Sequence, residues 1–238
     1  MKKLFNYFHP LERMKRERKQ YVNSVVLPEV LTRLIEQPCP DTFQSADELE
    51  YIVLDLETTG LDCNEDRILS IGWVEVAKGK IDLASSRHLY VKDKSQIKPE
   101  TAVINHITPQ MISDAGSIHD AMMTFFEAAE GKVLVAHACV VEANFISSYL
   151  KKSYGFSALP LLWLDTMCME KTLVNAISQQ EDVDVTLATT RARYRLPEYN
   201  NHNALVDAVS TAELLLAQSK RISPNKPATF GTLYRMSH

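Results

Sequence analysis

The sequence predicts a mixed α/β domain, in which one β-sheet with antiparallel and parallel strands is flanked by helices. Two observations predict this class. Three β-rich runs follow one another from Tyr51 with turn-forming residues between them, and helical segments then alternate with short apolar runs. A chain of 238 residues, with 45% hydrophobic and 24% charged residues, is long enough to bury one sizeable core.

The first three strands are expected at residues 51–56, 67–76 and 87–91. Because short links join them, we expect antiparallel neighbours. Apolar spacing then predicts a helix over 118–129 and a buried strand at 133–136. The remaining predicted elements are a helix over 141–152, a strand at 161–165, a helix over 166–173 and a long helix over 202–218.

The two ends of the chain differ from this body. Residues 1–20 carry seven Lys and Arg against two Glu, and the rest carries 19 against 28 acidic residues. Apolar residues at helical spacing between Val25 and Ile35 predict an amphipathic helix that ends before Pro38. We therefore expect a basic, partly helical N-terminal extension over 1–45, a main domain over 46–218 and an irregular tail over 219–238.

Composition narrows the class of protein. The longest apolar runs fall well short of the roughly 20 residues that a membrane-spanning helix needs, so we expect no membrane segment. The basic start of the chain lacks the apolar core of a secretory signal, which indicates a cytoplasmic protein. Four cysteines lie far apart with no C-x-x-C spacing, which fits neither a zinc knuckle nor a redox pair.

Two carboxylates stand out in the first predicted strand. Asp55 and Glu57 are two residues apart, so both side chains point to the same face of the strand. An acidic pair in an apolar strand needs a compensating charge, and Mg²⁺ or Mn²⁺ would supply it through oxygen ligands. The alternative is a solvent-facing edge strand that ends at a Gly60 turn.

Further acidic residues lie on two predicted helices. Glu142 is near the start of one, and Asp207 lies five residues after His202 on the last. Positions five apart are separated by about 140° around a helix axis, so His202 and Asp207 could not face one site from a regular helix. His202 should therefore precede the helix, where neighbouring asparagines favour a break or cap.

The sequence resembles the DEDDh branch of the 3′→5′ exonucleases, often called DnaQ-like, over residues 51–218. The first motif of that family is matched by residues 52–61, IVLDLETTGL, and its third by residues 202–208, HNALVDA. Supporting matches are residues 105–108, NHIT, and Asp165-Thr166, which opens a helix. The resemblance implies a ribonuclease H-like mixed β-sheet flanked by helices.

The second family motif is matched with one departure. The family pattern His-Asn-Ala-x-Phe-Asp is represented by residues 137–142, HACVVE, so Glu142 stands where aspartate is expected. The glutamate keeps the charge and adds one methylene, which bears on the rate of a geometry-sensitive reaction.

The resemblance also implies a mechanism and a substrate. Two divalent cations would be held by Asp55, Glu57, Glu142 and Asp207, and His202 would be the general base. Contacts to the terminal nucleotide are implied for Thr58, Leu61 and His106. The implied reaction releases nucleoside monophosphates from a single-stranded or frayed 3′ end of DNA.

Other interpretations stay open at this point. The protein could trim RNA 3′ ends, or it could be a catalytically impaired module that binds nucleic acid or a polymerase. The N-terminal extension could contact phosphates, dock a polymerase subunit or other protein, or form a solvated helix face.

Overall fold

The computed structural model describes residues 8–92, 107–156, 159–176, 183–200 and 202–238, and these contain a mixed five-stranded sheet. The strand order is β3-β2-β1-β4-β5. The pairs β1–β2 and β2–β3 are antiparallel, whereas β1–β4 and β4–β5 are parallel, which confirms the predicted class. The strands are β1 Glu50–Thr58, β2 Ile68–Ala77, β3 Lys80–Tyr90, β4 Val133–Ala136 and β5 Trp163–Asp165.

Helices flank both faces of this sheet. In the described residues they are α1 Pro10–Val22, α2 Glu29–Glu36, α3 Pro109–Ser113, α4 Ile118–Ala129, α5 Val140–Tyr154, α6 Thr166–Asn175, α7 Leu187–Arg193, α8 Ala204–Ile222 and α9 Phe230–Met236. No described helix is both long enough and apolar enough to span a bilayer.

Alternate residues of β1 enter two separate cores. Ile52 and Leu54 join the core under α2, α4 and α5, and Tyr51 and Val53 join the core under α1, α8 and α9. The period of two along a strand places Asp55 and Glu57 on the second face. Both carboxylates therefore lie beneath α8, at the C-terminal end of the central strand.

The N-terminal segment is helical, as predicted, and it is integrated with the domain. Leu11 of α1 and Leu31 of α2 are fully buried in the two cores. The side chain of Arg18 is buried, and its Nη2 donates a 2.7 Å hydrogen bond to the Leu34 carbonyl at the end of α2. Helix α2 starts at Glu29, later than expected, and Val26 is exposed because it lies in the link before the helix.

The expectation of an irregular tail over 219–238 is wrong. Helix α8 continues to Ile222, and α9 follows after the link that contains Pro224 and Pro227. Thr229 caps α9 by accepting a hydrogen bond from the Thr232 amide. Phe230, Leu233 and Tyr234 are buried at helical spacing, so the last turns complete the second core.

The two ends of the described chain are joined by polar contacts. His9 accepts a 3.1 Å hydrogen bond from the Leu11 amide at Nδ1, and its Nε2 donates to the Gly231 carbonyl at 3.0 Å. The Gly231 amide donates in turn to the Thr42 carbonyl. These contacts fix α1 and α9 side by side.

Candidate active site

The structure brings three of the predicted carboxylates together. One oxygen from each of Asp55, Glu57 and Asp207 lies within 4.8 Å of the others. Glu57 and Asp207 are only 7% and 8% exposed. Asp55 and Glu57 come from neighbouring positions on one face of β1, and Asp207 comes from the first turn of α8.

Gly72 allows α8 to approach the sheet, a role that motif matching missed. It is paired with Asp55 across β1 and β2. A Cβ atom at position 72 would lie 2.2 Å from the carbonyl carbon of Ala204, the first residue of α8. A glycine inside an apolar strand is the sequence signal for such a close backbone approach. The missing side chain therefore sets the distance between Asp207 and the β1 carboxylates.

His202 lies before α8, as the helical geometry predicted. Asn203 is the N-cap residue, and its side chain accepts a hydrogen bond from the Val206 amide. The amides of His202 and Asn203 donate to Oδ2 of Asp207, at 2.8 and 3.2 Å. His202 has a φ of 67°, and its side chain is exposed. The imidazole is thus carried by a short backbone loop that Asp207 holds in a left-handed conformation.

Glu142 reaches the same cluster from the other side of the sheet. It lies in the first turn of α5, follows β4 and is 3% exposed. The negative charge of Glu142 is the strongest single charge acting on Asp55, after the effect of burial. Among the described residues, no group hydrogen-bonds to its Oε2. Glu142 thus acts on Asp55 through its charge, although it is not one of the three carboxylates whose oxygens lie within 4.8 Å of one another.

Asp165 positions the start of the helix that carries Glu142. Its carboxylate accepts hydrogen bonds from the amides of Ala138 and Cys139, at 3.1 and 3.0 Å. It also caps α6 by accepting from the amides of Met167 and Cys168. One buried carboxylate thus satisfies donors at the starts of both α5 and α6.

His137 also holds the loop between β4 and α5. Its Nε2 donates a 2.8 Å hydrogen bond to the Val185 carbonyl, and its Nδ1 lies 2.9 Å from Oγ1 of Thr166. Both ring nitrogens are therefore used in holding the segment that leads into α5. His137 orients the loop and does not face the acidic cluster.

Burial and mutual repulsion make the charged form of the cluster costly. Burial, followed by the charges of Glu142, Asp207 and Glu57, raises the pKa of Asp55 well above its usual range. Burial also raises the pKa of Glu57 to about 7 and that of Glu142 to about 8. The pKa of Asp207 is raised by burial, against the lowering effect of its two backbone hydrogen bonds.

The donor set fits a hard divalent cation. All four residues offer carboxylate oxygens, the ligands that Mg²⁺ and Mn²⁺ prefer. In the part of the chain that is described, Oδ1 of Asp207 and Oε2 of Glu142 are buried without a hydrogen-bond partner. Buried acceptors of this kind require a compensating partner, and a bound cation provides one.

The loop after β1 carries two of the predicted substrate contacts. Thr58 donates a 2.6 Å hydrogen bond from its hydroxyl to the Gly60 carbonyl. Leu61 is 81% exposed, so its side chain does not pack in the core. Asp66 fixes the loop by accepting from the Thr59 hydroxyl and the Asp62 amide. The third predicted contact, His106, lies outside the described residues.

The fold and the acidic cluster together define a nucleic acid hydrolase of the ribonuclease H-like type. The chain belongs to the exonuclease family named RNase T, whose pattern it matches over residues 52–215. Residues 52–215 accordingly form an exonuclease domain.

Known proteins support this membership. The chain is 30% identical over 172 residues to the PolC-type DNA polymerase III of Thermotoga petrophila. These aligned residues are 72% of this chain and 12% of that protein. It is 26% identical to the 3′-5′ exonuclease DinG of Staphylococcus saprophyticus, over 79% of this chain and 20% of that protein. The chain therefore spans a small part of the length of these relatives.

A solved exonuclease structure shares the fold. Exonuclease X in complex with 5′ overhanging duplex DNA has a TM-score of 0.56 and 22% identity, over 78% of this chain and 99% of that one. This likeness confirms the expected ribonuclease H-like sheet flanked by helices.

Proposed function

We propose that the protein removes nucleoside monophosphates one at a time from the 3′ end of DNA by two-metal-ion phosphodiester hydrolysis. The observation that supports this proposal is the group of three carboxylates from β1 and α8, on which the charge of Glu142 from α5 also acts, with the exposed His202 beside Asp207. Such a cluster is costly to ionise alone, and cation binding removes that cost.

The carboxylates have separate roles in this proposal. Asp55 would be shared between two cations, Glu57 and Asp207 would complete the ligands of one, and Glu142 would support the other. When bound, the cations neutralise charge on the scissile phosphate and assist the attacking and leaving oxygens. Asp207 also holds the His202 loop through two backbone amides, so metal binding and base placement depend on one residue.

His202 would act as the general base. Its imidazole is exposed beside Asp207, where it can accept a proton from the water that attacks the phosphate. Thr58 and Leu61 would contact the terminal nucleotide from the loop after β1, with Leu61 offering an exposed apolar surface to its base. We carry His106 forward as a third contact on the resemblance alone.

DNA is the preferred substrate in this proposal because Exonuclease X is described with DNA and the relatives include DNA polymerase III proteins. RNA is the alternative, since hydrolysis at the phosphate does not require a particular sugar. A polymerase subunit is a further proposed partner. The outer surface of the N-terminal extension is available for it, whereas Leu11 and Leu31 are buried within the protein.

The direct test compares release of mononucleotides from 5′-labelled DNA and RNA of matched sequence, with Mg²⁺, Mn²⁺ or EDTA. Wild type is compared with Asp55→Asn and with His202→Asn, because asparagine tolerates the left-handed backbone at position 202. We expect a ladder that shortens from the 3′ end, requires metal and is lost in both variants. Folded wild-type protein that cleaves neither strand would instead support the impaired binding module.

A further inference from the structure

A cavity of about 230 Å³ lies beside the proposed active site, outside the acidic cluster. One wall is the loop after β1, including Cys63 and Arg67. The opposite wall is the outer part of α5, and the ends of β2 and β3 close the cavity. The described lining also contains Ile68, Val91, Lys92, Ile118, Phe145, Ser148, Tyr149 and Lys152.

The cavity is close to the acidic cluster along the chain and in space. Phe145, which lines it, is three residues after Glu142 on α5, so the two lie about one helical turn apart. The loop that forms the other wall starts two residues after Glu57. Ser148 joins the walls by donating a 2.6 Å hydrogen bond to the Cys63 carbonyl. The cavity and the acidic cluster therefore share the loop after β1 and the first half of α5.

The lining combines apolar surface with positive charge. Ile118, Phe145 and Tyr149 form the apolar wall, where Phe145 and Tyr149 are 3% and 7% exposed and Ile118 is half-buried. Arg67, Lys92 and Lys152 add three positive charges, and Asp66 is the one carboxylate among the described lining residues. Its oxygens already accept hydrogen bonds within the loop. Within the described residues, Lys152 makes two long hydrogen bonds, of 3.4 and 3.3 Å, to the carbonyls of Cys63 and Asn64.

We propose that this cavity is a nucleotide subsite, which takes a base against its apolar wall and a phosphate at its cationic rim. Its volume is below the roughly 300–1,000 Å³ of pockets for drug-sized ligands, so a single base fits while the phosphate stays at the rim. Apolar and aromatic surface next to a basic groove is the arrangement that holds single strands without sequence preference. If the proposed function holds, the nucleotide in this subsite is an upstream nucleotide of the strand being cut.

Binding can be measured without catalysis, by fluorescence anisotropy of labelled oligo(dT) in EDTA. Ile118→Trp fills the cavity and leaves the carboxylates unchanged, and Lys152→Ala removes one rim charge. We expect each to raise the Kd for a decanucleotide by about tenfold, the size of one lost stacking or phosphate contact. The matched control is Lys151→Ala, because Lys151 is equally exposed on α5 and does not line the cavity.

Two further binding measurements distinguish a nucleotide that belongs to the bound strand from a free nucleotide. If the strand fills the cavity, Ile118→Trp weakens binding of the decanucleotide and leaves that of a dinucleotide unchanged. If a free nucleotide fills it, dTMP binds wild type and not Ile118→Trp, and the assignment to the strand is wrong. Unchanged Kd values in both Ile118→Trp and Lys152→Ala, with circular dichroism showing folded protein, would overturn the subsite. Absence of cleavage by wild type would refute the exonuclease proposal and leave the binding comparison intact.

Discussion

Asp55 and Gly72 are paired directly across β1 and β2, and the first residue of α8 lies on Gly72. The glycine and the carboxylate are thus neighbours on one face of the sheet. Because Gly72 has no side chain, the start of α8 can approach the sheet, and Asp207 comes close to the Asp55 carboxylate.

Replacing Gly72 with alanine should displace the start of α8. The new Cβ would lie 2.2 Å from backbone atoms, so the helix must shift. We expect a loss of about 2 kcal/mol of stability, since overpacking typically costs roughly 1–3 kcal/mol. Activity should fall more than tenfold, measured as the rate of mononucleotide release. Gly116→Ala is the control, because no described atom lies within 4 Å of a Cβ there. Equal rates for the two variants would contradict this role of Gly72.

Stability without metal should fall as pH rises. The pKa of Glu57 rises from 4.5 to about 7 on folding, and that of Glu142 from 4.5 to about 8. Between pH 4.5 and about 8, the folded state therefore holds protons that the unfolded state has released. The free energy of unfolding is highest below pH 4.5, and it falls as the pH rises through about 7 and about 8. Mg²⁺ should raise the Tm more at pH 8 than at pH 5, as thermal denaturation would show. A metal-induced shift that is independent of pH would argue against these carboxylates as the ligands.

Glu142 should contribute through its charge. Glu142→Gln keeps the length and removes the charge, and we expect a loss of at least about 100-fold in the rate with Mg²⁺. Glu142→Asp keeps the charge and shortens the side chain by one methylene, so its rate should stay within about tenfold of wild type. Single-turnover cleavage of a labelled oligonucleotide measures both. A glutamine variant as active as wild type would remove Glu142 from the site.

Asp165 should control activity indirectly. In Asp165→Asn one of the two acceptor oxygens becomes a donor that faces backbone amides, which should cost about 2 kcal/mol. The start of α5 should then move, with a fall in kcat. The control is Asp184→Asn, because Asp184 accepts from the Thr186 amide at an exposed position. If kcat is retained in Asp165→Asn, the position of Glu142 does not depend on this cap.

The basic residues of α1 should divide into two groups. Arg18 is buried and holds the end of α2, so Arg18→Ala should destabilise the protein by about 2 kcal/mol. Lys19 is exposed, and Lys19→Ala should leave the urea midpoint of unfolding unchanged. Urea denaturation of both variants measures the difference. Similar urea midpoints for the two variants would mean that Arg18 does not stabilise the fold and that, like Lys19, it is solvated or contacts phosphates.

The sequence was sufficient to predict the central sheet and the acidic residues. Strand and helix periodicity placed Asp55 and Glu57 on one face and put His202 before its helix, because these depend only on local geometry. The cap at Asn203 was indicated by the same local chemistry. These predictions need no knowledge of how distant segments pack.

Local sequence patterns do not predict how distant segments pack against one another. The role of Gly72 depends on a helix that starts over 130 residues later, and α9 depends on a core surface built from α1 and β1. The short helix α7 has few turns to establish a period. Pro224 and Pro227 mark a break between helices, and the apolar spacing of Phe230, Leu233 and Tyr234 beyond them is the local signal for α9.

The contact between His9 and Gly231 joins positions 222 residues apart. During synthesis on the ribosome, α1 therefore emerges long before the surface that receives it. Until residues 228–237 leave the exit tunnel, the side of α1 that packs against α9 remains uncovered. The apolar side of α1 thus stays exposed while the 222 residues up to Gly231 are made, and it is prone to aggregation until α9 packs against it.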